Sequence, residues 1–285
     1  MRAKTRARAV TLRKSAGDVL DRLEAIGDAG QIRTESEVHL RTLLTKTASA
    51  LFKPEELPRY LQVQLAGKTG SIPSWDNLTG ERLTHLGLPR HAEGVRADEC
   101  GTLVLTLVPA TIDYAVQVEG REVCSSAAYD PRSTTTSFED GIHRVVMTAP
   151  EVTVTRSAFP HGLMDLPFVQ VTFRLRNTSD QFHAVTLVLF IKPFDEIGVT
   201  SLERFSLSHE NLIVLNGQRV AFARERPTRT KVTVYDPRSG SMVDADAGGE
   251  VVSPTGLMQL RLAFDHQLEP AGDTEVTFFF FVDRD

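Results

Sequence analysis

Residues Phe168 to Gly198 read FVQVTFRLRNTSDQFHAVTLVLFIKPFDEIG, and no other stretch narrows the choice of fold as much. Val169, Val171, Phe173 and Leu175 alternate with Gln170, Thr172, Arg174 and Arg176. A period of two over this length is a half-buried antiparallel strand. Asn177-Thr178-Ser179-Asp180 then supplies turn formers whose short polar side chains bond their own backbone. The return run differs. Val185, Leu187, Leu189 and Ile191 make one face, but Ala184, Val188 and Phe190 leave the other nearly apolar too, which predicts a strand covered on both sides. Pro193 cannot donate to a ladder, so the strand is expected to stop near it.

From Gly101 onward the chain is dense in strand signals. Leu103, Leu105 and Leu107 alternate, Tyr114, Val116 and Val118 return, and Gly120 closes the hairpin. His143–Met147, Val152–Arg156, Leu212–Leu215, Val220–Phe222, Val232–Tyr235 and Met258–Phe264 continue the series. Asn216-Gly217 is the strongest short hairpin signal. Asp244 to Glu250 reads as a small acidic, glycine-rich loop. Near the end, Phe278 and Phe280 point one way while Phe279 and Phe281 point the other, so this strand must be central or must abut something. Strands at this density, with turns about every ten residues, make a sandwich or a barrel.

Before this region the reading changes. Ser15-Ala16-Gly17-Asp18 opens a helix carrying Val19, Leu20, Leu23 and Ile26 on one stripe. Thr34-Glu35-Ser36-Glu37 is a capping box for a second helix, with Leu40, Leu43, Leu44, Ala48 and Leu51 on one side and a stop at Pro54. Residues 53–96 are punctuated by proline and glycine. The expected organisation is a helical and irregular N-terminal region over 1–96 and an antiparallel β-sandwich over 97–285.

The N-terminal residues are basic, which suits a solvated tail or an organelle-targeting or nucleic-acid arm. A formal net charge of −5 across 285 residues calls for neither nucleic acid nor an anionic membrane. No apolar run approaches the ~18 residues that span a bilayer, and no signal-peptide core follows Met1. A cytoplasmic protein with two free thiols, Cys100 and Cys124, is expected; a bridge between neighbouring strands is the alternative.

The search for chemistry is negative. The eight histidines form no H-x-H or H-E-x-x-H spacing, so no metal site or other cofactor is expected. No G-x-S-x-G occurs, and Gly67-Lys68-Thr69 lacks the upstream glycine of a phosphate loop. No catalytic residue is assigned. Trp75, the single tryptophan, is read either as a stacking platform for carbohydrate or as a loop anchor.

The strand ending in Arg176-Asn177-Thr178-Ser179-Asp180, the Val/Leu return strand, and the turn Lys192-Pro193-Phe194 to Gly198 together resemble the N-terminal β domain of large glycoside hydrolases and phosphorylases. Thr155-Arg156-Ser157-Ala158-Phe159 is similar to that family's T-R-x-x-F strand, and Val214-Leu215-Asn216-Gly217 to its V-N-G hairpin. The resemblance spans about Cys100 to the C-terminus. It implies a mainly β fold, a large antiparallel two-sheet super-sandwich of the galactose-mutarotase-like kind, here with a short α-helical N-terminal region. It also implies a non-catalytic role, supporting or docking an (α/α)6 catalytic domain; a free-standing protein-interaction module is the alternative. Phe194, Asp195 and Glu196, in the turn after the most buried strand, are the expected docking contacts. For Phe194 a second reading, packing into its own sandwich, stays open.

Overall fold

The computed structural model describes residues 84–86, 94–127, 130, 132–163, 166–195, 200–236, 239 and 241–281. In chain order the strands are β1 (Thr84–Leu86), β2 (Val95–Ala97), β3 (Leu103–Leu105), β4 (Ala110–Val118), β5 (Arg121–Ser125) and β6 (Thr134–Glu139). There follow β7 (Ile142–Thr148), β8 (Val152–Leu163), β9 (Leu166–Asn177), β10 (His183–Lys192), β11 (Arg204–Leu207) and β12 (Leu212–Leu215). The series closes with β13 (Gln218–Ala223), β14 (Arg229–Asp236), β15 (Ser241–Asp246), β16 (Val251–Val252), β17 (Met258–Leu268) and β18 (Asp273–Phe281).

These strands form two nine-stranded sheets, antiparallel throughout. The first runs β1-β2-β3-β4-β10-β17-β14-β15, with β5 also paired to β4. The second runs β16-β11-β12-β13-β18-β9-β8-β7-β6. One apolar cluster joins them, drawing Ile112, Val116, Leu187, Leu189, Leu260 and Phe264 from the first sheet and Val154, Val171, Leu175, Val276, Phe278 and Phe280 from the second. Across this core Tyr114 meets Phe173 edge-on at 4.9 Å, and Phe264 meets Phe278 edge-on at 5.4 Å. Each such buried side chain contributes roughly 1.5–3 kcal/mol. The two-sheet β architecture expected from the alternation is present, and no helix occurs among the described residues. The expected N-terminal helices lie outside them.

The central hairpin follows its alternation. Val169, Val171, Phe173 and Leu175 are buried, while Arg174 and Arg176 are exposed. β10 stops at Lys192, one residue before Pro193; on its outer side Val188 and Lys192 are buried but Ala184, Thr186 and Phe190 only half-buried, so that side is covered less completely than its apolar sequence led one to expect. Asn216 and Gly217 both take positive φ, 51° and 80°, as a two-residue hairpin of matching twist demands. β18 is a central strand, held between β13 and β9.

Other segments differ from expectation. β1 and β2 place sheet structure on the N-terminal side of the 96/97 boundary; each is three residues, too short to show a period. β15 takes in Asp244, Ala245 and Asp246, the first three residues of the segment expected to be an acidic loop, and 247–250 lie outside any strand as expected. It is an edge strand, exposed along nearly its whole length, so its sequence carries no apolar alternation.

Candidate functional site

Three features of this frame bear on function. The first is an aromatic row on the outer side of the second sheet. In β18, Phe278 and Phe280 enter the core, which turns Phe279 outward. Phe279 stacks on Phe222 of β13 at 6.0 Å and meets Phe168 of β9 edge-on at 5.5 Å. Phe168 stacks on His161 of β8 at 5.1 Å, and His161 meets Phe159 at 4.7 Å. Five rings thus cross four adjacent strands, and all five are only half-buried.

The second feature is a cleft at the edge of the sandwich where the terminal strands β1 and β6 lie. It has a volume of about 290 Å³ and is lined by Thr84 of β1, Glu99 in the β2–β3 turn, Thr136, Ser137 and Phe138 of β6, and His143 of β7. The Thr136 hydroxyl donates to the Glu99 carbonyl, strapping the turn of one sheet to the edge strand of the other. Phe138 is 53% exposed, whereas His143 is 2% exposed. The two rings lie 6.4 Å apart, tilted by 45°. The His143 Nδ1 is buried with no hydrogen-bond partner among the described residues. Burial, helped by the Arg156 charge, pulls the His143 pKa down to about 3, so the imidazole is neutral at physiological pH.

The third feature lies behind this histidine. Arg156 takes a core-facing position of β8, in line with Val152, Val154 and Ala158, and is fully buried. It pairs with Val145 of β7 on one side and Phe173 of β9 on the other. Burial pulls its pKa below the usual guanidinium value, and Tyr114 and Asp98 oppose that shift. None of its three side-chain nitrogens makes a well-formed hydrogen bond among the described residues. Asp98 is buried too. Its Oδ1 accepts the backbone N–H groups of Cys100 (2.9 Å) and Thr102 (2.8 Å), which folds the β2–β3 turn. Burial, then the Asp113 carboxylate, raises the Asp98 pKa to about 7, against the pull of the Thr102 amide and Arg156.

The Asp113 carboxylate belongs to the opposite side of β4 from Tyr114. There Lys192 Nζ donates to its Oδ2 at 2.8 Å, and both side chains are buried. The Thr102 hydroxyl donates to its Oδ1 at 2.7 Å and Ser126 at 3.3 Å. The lysine of the Lys192-Pro193-Phe194 turn is therefore part of a buried ion pair. The Phe194 side chain is fully buried. Asp195 is half-buried. Glu196 and Trp75 lie outside the described residues.

Neither Phe194 nor Asp195, the two expected contact residues that are described, lines the cleft, and sequence reasoning missed His143, Phe138 and Asp98 because they converge from the edges of both sheets. Arg156 did carry a signal: a charged residue sits where the alternation of β8 demands an apolar one. Neither cysteine is part of a disulfide among the described residues; Cys100 is buried and Cys124 half-buried. Among the described residues no three His, Cys, Asp or Glu side chains are grouped to hold a metal, and no helix is long and apolar enough to cross a membrane. No protein-family model and no curated protein matches the chain.

Proposed function

We propose that this chain is a non-catalytic β-sandwich region of a carbohydrate-active, glycoside hydrolase-like enzyme, and that it supports an (α/α)6 catalytic domain by docking it on the outer side of the second sheet. The observation that carries this reading is the half-buried aromatic row Phe159, His161, Phe168, Phe279 and Phe222. Outward aromatic rings in contact across four strands form the apolar, shape-rigid patch that a partner domain buries. Two nine-stranded antiparallel sheets over one core are also the size of sandwich that the family resemblance implies. A cytoplasmic setting fits two cysteines that form no disulfide among the described residues.

The test is co-production of the chain with the (α/α)6 polypeptide encoded in the same transcript, in frame or beside it. The expected result is a stable complex in native mass spectrometry. A transcript that encodes no helix-pair polypeptide contradicts the proposal. A second reading, a free-standing interaction module, is favoured by the edge strand β15, where Met242 and Val243 are exposed and one backbone edge is unpaired among the described residues. Sedimentation of the purified chain separates the two: concentration-dependent dimers that a proline at Val243 abolishes support the second.

A further inference from the structure

The outer side of the first sheet is shielded where no described strand covers it. In β3, β4, β10 and β17, the residues Val104, Ala115, Val188 and Ala263 each stand between two residues of the core, so they point away from the second sheet. All four are nonetheless 3% exposed or less. Three of them form a row, since Val188 pairs with Ala115 on one side and with Ala263 on the other. Thr111 and the Asp113–Lys192 ion pair face the same way and are buried as well. Every described strand belongs to one of the two sheets, and the second sheet lies on the opposite side, so none of these strands supplies the cover. The Thr111 hydroxyl and Arg261 Nε, on either side of Phe190, are buried without a hydrogen-bond partner among the described residues. Buried polar atoms of this kind call for a polar group carried by whatever lies over them.

The sequence offers one segment that suits this surface. Residues 1–83 precede β1, which lies in the same sheet, in the order β1-β2-β3-β4. Within them Leu40, Leu43, Leu44, Ala48 and Leu51 make the apolar stripe that follows the capping box Thr34-Glu35-Ser36-Glu37. At the rise of a helix the stripe is about 17 Å long. The distance from β3 to β17, across β4 and β10, is about 14 Å at the ordinary strand spacing. The stripe from Val19 to Ile26 is about 10 Å long and falls short. An amphipathic helix has to bury its stripe on another layer, and a low floor of alanine and valine leaves room for leucine side chains.

We propose that residues 35–53 form the helix that covers the outer side of the first sheet, with its leucine stripe seated on Ala115, Val188 and Ala263. The cover keeps water from the Asp113–Lys192 pair, whose geometry needs a dry surrounding. The inference stands on the first sheet alone and is independent of the docking face on the second.

The test is methyl NMR of the full chain labelled at its leucine, valine and alanine methyls. The Val188 and Ala263 methyls are expected to give NOEs to at least two of Leu40, Leu43, Leu44 and Leu51. Assignment uses Leu40→Met, Leu43→Met, Leu44→Met and Leu51→Met, which nearly conserve volume. Leu44→Ala is expected to shift the Val188 and Ala263 signals and to leave those of Val276, in the second sheet, in place. Absence of NOEs to all four leucines overturns the proposal, as do NOEs to Leu20 and Leu23 in their stead. NOEs found only between differently labelled copies in a mixed sample also overturn it, because the cover is then a second copy of the chain. So does a shift of Val276 as large as that of Val188, which marks a general loosening and not a local contact.

Discussion

Gly101 is constrained by two independent requirements. Its φ is +92°, and a methyl group added there would lie 2.8 Å from the Tyr114 hydroxyl oxygen and 3.3 Å from Arg156 Nε. The turn that brings Asp98 to the buried charges therefore tolerates no side chain. Gly101→Ala is expected to cost about 2–4 kcal/mol in urea unfolding, from left-handed backbone strain plus overpacking; a loss under about 1 kcal/mol contradicts the geometry. The buried acid and histidine also make opposing contributions to pH dependence. Asp98, raised from 3.8 to about 7, binds a proton in the fold that the unfolded chain has released, so its contribution is full below pH 3.8 and is lost as pH rises through 7. His143, lowered from 6.5 to about 3, stays neutral in the fold while the unfolded chain protonates, so stability falls as pH drops below 6.5. Asp98→Asn keeps an acceptor for Cys100 and Thr102 but removes the titration. Relative to the unsubstituted chain its stability is expected to rise between pH 4 and 7, by up to about 4 kcal/mol, measured by urea unfolding at several pH values. A flat or falling difference contradicts the burial of Asp98.

At the scale of elements, β10 shows how one strand serves both sides of its sheet. Its inward Val185, Leu187, Leu189 and Ile191 fill the core, and its outward Lys192 closes on Asp113. Lys192→Met leaves a buried carboxylate uncompensated and is expected to cost about 3–5 kcal/mol. Adding Asp113→Asn, which still accepts from Thr102 and Ser126, is expected to recover part of that loss; thermal denaturation of the three variants checks it, and an additive loss contradicts the pairing. β18 gives a second comparison. Phe278→Ala, in the core, is expected to cost about 3–5 kcal/mol, and Phe279→Ala, on the outer row, less than half as much; equal losses refute the assignment of faces. These two strands were legible in the sequence because a period of two, or its absence, reports burial directly. β5, β6 and β15 were not. Their half-exposed runs, such as Thr134-Thr135-Thr136-Ser137-Phe138-Glu139, have no apolar face to alternate. Their pairing is fixed by neighbours and by tight turns such as Asp140-Gly141, where both residues take positive φ.

At the scale of the whole molecule, the two-sheet β class followed from strand density, but the candidate sites did not. The aromatic row joins residues as far apart as Phe159 and Phe279, and the cleft joins Thr84 to His143. Such neighbours are set by strand order, which β18 illustrates by inserting between β13 and β9. Local pattern carries no record of that order. The docking residues expected in the turn after β10 show the same limit: a phenylalanine after a buried strand, such as the fully buried Phe194, reads alike whether it serves a partner or its own sandwich. The outer row of the second sheet is the surface on which the account rests. The measurement that tests it most directly is the affinity of the chain for the (α/α)6 polypeptide, by isothermal titration, with and without the paired change Phe222→Ser and Phe279→Ser. The circular dichroism of the two chains serves as the check on folding. The account predicts at least a tenfold loss of affinity with the β spectrum retained; an unchanged affinity in a folded double variant would contradict it.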